Sequence, residues 1–206
     1  MNQALLDLGD YIATTLGEAV TGSELINDEL VIWAKSDTLL EVIKFLRDNQ
    51  NCQFRQLVEL TAVDYPSRED RFELVYCLLS LTHNQRIKIK FSTSDETPVE
   101  SVTGLFSSAI WYEREVWDMY GIFFANHPDL RRMLTDYGFE GHPLRKDFPL
   151  TGYVEVRYDE TQKRVVYEPV KLTQEFRNFD FSSPWEGIVN LPGDEKAEQE
   201  NEEGAA

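Results

Sequence analysis

With 206 residues, 42% of them hydrophobic and 12% aromatic, the chain has material for one well-packed domain plus an appendage, and no apolar run approaches the roughly 18 residues that would span a bilayer. A formal net charge of −17 argues against nucleic-acid backbones and anionic lipid surfaces as direct partners and favours basic partner surfaces. Cys52 and Cys77 stand far apart, with no CxxC or Cys/His spacing around them, so disulfide frameworks, zinc ribbons and iron-sulfur ligation are unsupported.

Met1 to Val20 lacks the positive start and apolar middle of a secretory signal and the arginines of an organelle presequence, so the chain is expected to stay in its compartment of synthesis. Leu5, Leu8, Ile12 and Leu16 recur at helical spacing and predict a first amphipathic helix, broken by Gly22 and Asn27. Glu29 to Ala34 reads as a short strand. A second helix follows, with Ser36 or Asp37 as its cap, Leu39, Leu40, Ile43 and Leu46 on one face, and Asn49 to Asn51 at its end.

Three strand-like runs, Arg55 to Val63, Phe72 to Leu81 and Arg86 to Phe91, are rich in β-branched and aromatic residues and separated by turn chemistry. The last two predict a hairpin around His83 and Asn84. Phe72 to Leu81 is apolar on both faces and reads as a central strand, whereas RIKIKF alternates and turns Lys88 and Lys90 to solvent. Val99 to Leu105 reads as a short helix, and Ser107 or Ser108 as the cap of another. Segregated helices and antiparallel strands predict an α+β fold: a two-layer domain over residues 1–124 with helices packed on a mostly antiparallel sheet.

The most informative stretch runs from Trp111 to Leu150. On a helical wheel over residues 110–120, Ile110, Tyr112, Val116, Trp117, Met119 and Tyr120 take one half, and Arg114, Glu115 and Asp118 the other. Glu113 falls within the apolar arc, where a carboxylate needs a partner, expected to be an arginine or lysine. From Ala125 onward Gly and Pro recur without a sustained period, yet Leu130, Met133, Leu134, Tyr137, Phe139, Leu144, Phe148 and Leu150 argue for order. Residues 125–193 therefore read as an extended arm that needs a surface to lie on. VEVRYD and KRVVYEPV, joined through Glu160-Thr161-Gln162, predict a hairpin within it. Phe148, Tyr153, Phe176, Phe179, Phe181 and Trp185 are the expected partner contacts. Residues 194–206 are acidic and without aromatics, and are expected to be disordered.

Glu113, Glu115, Asp118, His127 and His142 offer oxygen and nitrogen donors for a catalytic metal, but Glu113 and Glu115 stand about 160° apart on the wheel, and the histidines sit in separate Pro-bound turns without the i, i+4 spacing of helical metal sites. Arg131, Arg132, Arg145 and Lys146 are balanced by Asp129, Asp136, Glu140 and Asp147, which weighs against an anion pocket. An ion-pair and hydrogen-bond network fixing the arm to the helix accounts better for the matched charges. No phosphate loop, GxSxG or HExxH is present.

Glu113-Arg114-Glu115, Asp118-Met119-Tyr120, His127, Arg131 and Met133-Leu134 together resemble the signature of the 30-kDa subunit family of respiratory complex I, the NADH-quinone oxidoreductase. Every spacing matches, and the likeness continues through GFEGHPLRKDFPLTGYVEVRYDE and KRVVYEPVKLTQEFRNFDFSSPWE, covering Leu57 to Trp185. The resemblance implies a structural subunit of the enzyme's hydrophilic arm that binds no redox cofactor itself. FMN, iron-sulfur clusters and quinone would then lie in partner subunits. It also implies packing against the 49-kDa-type subunit and a peripheral location on the cytoplasmic face of a bacterial inner membrane. The competing readings are the related subunit of a membrane-bound hydrogenase-type complex, and a free-standing metal-dependent enzyme using Glu113, Asp118, His127 and His142.

Overall fold

The structure is a computed structural model and describes residues 2–174. Contacts divide the chain into two units, residues 1–152 and the remainder. In the first, α1 (Asn2–Leu16) leads through a 3-10 turn into β1 (Val20–Ile26) and β2 (Glu29–Ala34), and α2 (Leu39–Asp48) precedes β3 (Gln56–Asp64), β4 (Phe72–Ser80) and β5 (Gln85–Thr93). The short β6 (Val99–Glu100) and β7 (Phe124–Ala125) flank α3 (Ala109–Tyr120). The second unit contributes β8 (Val154–Asp159) and β9 (Arg164–Pro169).

The five long strands make one sheet in the order β1-β2-β5-β4-β3, antiparallel throughout except where β2 runs parallel to β5. Register explains the core. Ile32 lies beside Ile89, Ile89 beside Tyr76, and Tyr76 beside Leu60, so alternate residues of four strands point to one face. That face packs with Leu5, Leu8 and Ile12 of α1, Val42, Ile43 and Leu46 of α2, and Ala109 and Val116 of α3 in one buried cluster. The opposite face carries Lys88 and Lys90, ion-paired to Glu29 and Glu73 respectively. This is the expected α+β architecture, with three helices among the described residues on a mixed, mostly antiparallel sheet.

Several local expectations change. β4 is an interior strand, but β5 holds the middle of the sheet. Gly22 and Asn27 do not mark a break: β1 passes through Gly22 with a register shift, and Asn27 and Asp28, both at positive φ, make the tight turn into β2. Ser36 and Asp37 lie in a 3-10 turn, α2 begins at Leu39 without a side-chain cap bond, and Val42 rather than Leu40 completes its buried face. Ser108 precedes α3 but makes no cap hydrogen bond. Val99 to Leu105 is not a helix, because its backbone is engaged elsewhere: Val99 N–H donates to Phe123 O at 2.9 Å and Ser101 N–H to Ala125 O at 3.0 Å.

β8 and β9 form the predicted hairpin, turning through residues 160–163. Val156 pairs with Tyr167 and Tyr158 with Val165, so both pairs share a face, and each of the four is more than half exposed. Arg157 and Glu168 bridge on the other face at 2.8 Å.

Candidate functional site: the α3 anchor

The C-terminus of α3 organises the loop beyond it. The last carbonyls of a helix lack intrahelical partners. Here Trp117 O accepts from Gly121 N–H (2.8 Å), Asp118 O from His142 Nδ1 (3.0 Å), Met119 O from Leu144 N–H (3.1 Å) and Tyr120 O from Arg145 Nε (2.6 Å). The stretch GHPLR is thus the cap of α3. Gly121 is required for it: φ is +81°, and a Cβ there would stand 2.7 Å from the His142 ring. Arg145 is itself held by Asp95, at 2.6 and 3.0 Å.

Asp118 performs the reciprocal task. It is fully buried, and its Oδ2 accepts the N–H groups of Met133 (3.1 Å), Leu134 (2.8 Å) and Thr135 (3.0 Å), while Oδ1 accepts the Thr135 hydroxyl (2.7 Å) and Arg132 Nη1 (3.2 Å). Burial pushes this carboxyl up, but the four bonds from Thr135, Leu134 and Met133 outweigh it and bring it down to about 2. Arg114, also buried, donates to the carbonyls of Arg131 (3.0 Å) and Arg132 (3.3 Å) and lies over the Trp111 ring. The loop therefore covers Arg114 and Asp118 on the polar half of the wheel and leaves Glu115 exposed. A second clamp holds the loop to the sheet: Arg71 forks onto buried Asp64 and reaches Asp147, while Lys146 N–H donates to Asp64 at 2.7 Å.

Glu113 is fully buried, as its place on the wheel requires, but its partners are not arginine or lysine. Oε2 accepts the Ser101 hydroxyl at 2.6 Å and Oε1 the Val102 N–H at 2.7 Å, since the turn after β6 presents donors that no backbone carbonyl takes. Burial is the larger influence and raises this carboxyl to about 7 against those two hydrogen bonds. His127 Nε2 lies 4.0 Å from Oε2 and donates to Ile110 O at 3.2 Å, while Nδ1 accepts from Asp129 N–H at 3.0 Å.

Of the remaining sequence candidates, Glu115 is exposed and Arg131 pairs with Asp129 at the surface. Phe148 stacks on Phe139, and Tyr153 is 64% exposed. Phe176, Phe179, Phe181 and Trp185 lie outside the described residues. Glu113, Asp118, His127 and His142 come together only in pairs, His127 beside Glu113 and His142 on the Asp118 carbonyl, and no group of three His, Cys, Asp or Glu gathers as metal ligands among the described residues. Sequence reasoning missed Ser101, Arg71 and Asp64, whose partners lie up to 82 residues away. It also missed Tyr76, a fully buried hydroxyl without a hydrogen-bond partner among the described residues, which no signal in an apolar strand distinguishes from core.

A family model described as the respiratory-chain NADH dehydrogenase 30 Kd subunit matches residues 32–154. The chain is 63% identical over 198 residues to the NADH-quinone oxidoreductase C subunit of Paramagnetospirillum magneticum, across 96% of this chain and 100% of the relative. The chain belongs to the 30-kDa subunit family of complex I. The corresponding NADH-quinone oxidoreductase C subunit of Rhodospirillum rubrum is 61% identical over 201 residues, covering 95% of this chain and 94% of the relative. Among solved structures, a trypsin-resistant Nqo5 fragment superposes with a TM-score of 0.53 at 25% identity, over 62% of this chain and 99% of the fragment. A chain of an archaeal membrane-bound sulfane sulfur reductase superposes with a TM-score of 0.60 at 22% identity, over 70% of this chain and 85% of that one, which extends the fold alone. The reading as a hydrogenase-type relative yields to the close relatives from NADH-quinone oxidoreductases. A 30-kDa-type chain of this kind is part of NADH:quinone oxidoreductase, a respiratory translocase. No helix among the described residues is long and apolar enough to cross a membrane.

Proposed function

We propose that this chain is a non-catalytic scaffold of the complex's hydrophilic arm, on the cytoplasmic face of a bacterial inner membrane. Its α+β body is assigned to residues 1–124, with residues 125–152 of the arm folded back on it in the same compact unit. The segment 125–193 is the arm that docks on the 49-kDa-type subunit, and 194–206 is an acidic tail. FMN, iron-sulfur clusters and quinone belong to other subunits, and this chain supports electron transfer by holding them in place. The family motif Glu113, Arg114, Glu115, Asp118, His127 and Arg131 serves to seat the arm. Phe148, Tyr153, Phe176, Phe179, Phe181 and Trp185 contribute contacts.

One observation carries the reading: Val156, Tyr158, Val165 and Tyr167 lie exposed on a single face of a two-stranded hairpin. A lone hairpin is marginal in water, and an exposed apolar face of this kind marks a partner surface. The test is an affinity pull-down from detergent-solubilised native membranes through a tag on the C-terminal tail, with cross-linking and assays for iron, flavin and NADH:quinone activity. Recovery of an active flavin and iron-sulfur assembly, with the hairpin cross-linked to the 49-kDa-type subunit, supports the proposal. Cross-links from the hairpin only to other subunits overturn the docking assignment.

A further inference from the structure

Glu113 is a carboxyl enclosed by protein on every side, with no lysine or arginine within ion-pair distance among the described residues. Its Oε2 does not end the hydrogen-bond chain. Ser101 Oγ, 2.6 Å away, lies 2.8 Å from Thr103 Oγ1 and also accepts the Thr103 N–H at 3.2 Å. Ser101 is buried and Thr103 is half-buried, so three oxygens in sequence lead from the interior toward the surface.

A hydroxyl donates one hydrogen bond and accepts others, and either oxygen of the Ser101–Thr103 pair can be the donor. With Glu113 ionised, the hydrogens point inward: Thr103 donates to Ser101, and Ser101 donates to Oε2. With Glu113 protonated they point outward: Oε2–H donates to Ser101, and Ser101 donates to Thr103. The Val102 N–H holds Oε1 in both arrangements. Neither state leaves a member of this chain without a partner.

We propose that Glu113 is a reversible internal proton-binding site of this subunit, filled and emptied through the hydroxyl relay Ser101–Thr103. Uptake is balanced along the relay. A solvent acid gives its proton to Thr103 Oγ1, the Thr103 hydrogen passes to Ser101 Oγ, and the Ser101 hydrogen passes to Glu113 Oε2. One O–H bond forms and one breaks at each hydroxyl, and the carboxylate becomes a carboxylic acid.

The other groups around the carboxyl do not compete for this role. From β4, the Tyr76 hydroxyl is buried with no hydrogen-bond partner among the described residues, and burial, with the Glu113 charge, keeps the phenol protonated. From the segment after β7, the His127 ring is committed at both nitrogens, to Ile110 O and Asp129 N–H. On α3 itself, Arg114 is directed at the carbonyls of Arg131 and Arg132. Burial brings Glu113 to about 7, where both states are populated near neutrality. The inference is independent of which subunit the arm meets.

The test is infrared difference spectroscopy of the full-length chain through pH steps from about 5 to about 9. A protonated-carboxyl stretch should disappear as the pH rises through neutrality, and should be missing from Glu113→Gln. Ser101→Ala removes a donor to the ionised form and should raise the midpoint by about one unit, a tenfold change. Thr103→Val should leave the midpoint in place but slow the band's response to a pH jump several-fold, an effect that burial alone does not produce. Should Glu113→Gln fail to fold, the Ser101→Ala shift identifies the band. A midpoint in the ordinary glutamate range overturns the site, and an unchanged response in Thr103→Val overturns the relay.

Discussion

Asp118 and Thr135 are joined twice, the Thr135 N–H to Oδ2 at 3.0 Å and its hydroxyl to Oδ1 at 2.7 Å. One buried carboxylate thereby fixes the backbone direction of a loop 17 residues downstream. Asp118→Ala leaves three loop N–H groups and the Thr135 hydroxyl without their acceptor, and takes from Arg132 its carboxylate partner while its bond to Gly141 O remains. We expect a loss of roughly 3–5 kcal/mol in urea unfolding, with new proteolytic cleavage within residues 130–145.

Two buried carboxyls give the isolated chain opposing pH dependences. Asp118 is held near 2, below its unfolded value, so its contribution is complete above about pH 4 and is lost as the pH falls toward 2. Glu113 is raised to about 7, so the folded state retains a proton that the unfolded state releases. Its contribution is complete below about pH 4.5 and is lost as the pH rises to about 7, by roughly 3 kcal/mol in total. Urea unfolding at stepped pH should show both limbs. Glu113→Gln should flatten the neutral limb and leave the acid limb.

Arg71 reaches Asp64 with Nε and Nη2 (2.6 and 2.8 Å) and Asp147 with Nη2 (2.7 Å). Lysine carries one ammonium in place of this planar fork and cannot reproduce both contacts. Arg71→Lys should cost roughly 1–3 kcal/mol, because Asp64 stays buried with its main partner weakened. Asp147, at the exposed end, should cost under about 1 kcal/mol when changed to Asn. Equal urea midpoints for the two variants would contradict this ranking.

Legibility in the sequence followed the range of the interactions. The helices and β2 to β5 have apolar periods that match their buried faces, and could be placed from local pattern. β1 could not, because it is a largely polar edge strand entered and left through irregular backbone. The turn after β6 looked helical since its donors go to β7 and Glu113, both distant in sequence. The wheel located Glu113 in the interior, yet it could not foresee that Asp118, on the polar half, is equally buried beneath the loop. Nor could composition choose between Arg131 and Arg132 as the residue facing Asp118. The carbonyl capping by His142, Leu144 and Arg145 has a signature only once the loop is known to return to α3.

If the chain supplies geometry rather than reacting atoms, damage to its docking face should reduce assembly and spare chemistry. Val156→Asp with Val165→Asp places charges on the apolar hairpin face at two exposed positions, which the isolated chain should tolerate within about 0.5 kcal/mol each. The decisive measurement is NADH:quinone turnover per assembled complex in membranes carrying that double variant, with assembly quantified on native gels. We expect several-fold less assembled complex and unchanged turnover in what assembles. Normal assembly with abolished turnover would contradict a scaffold role.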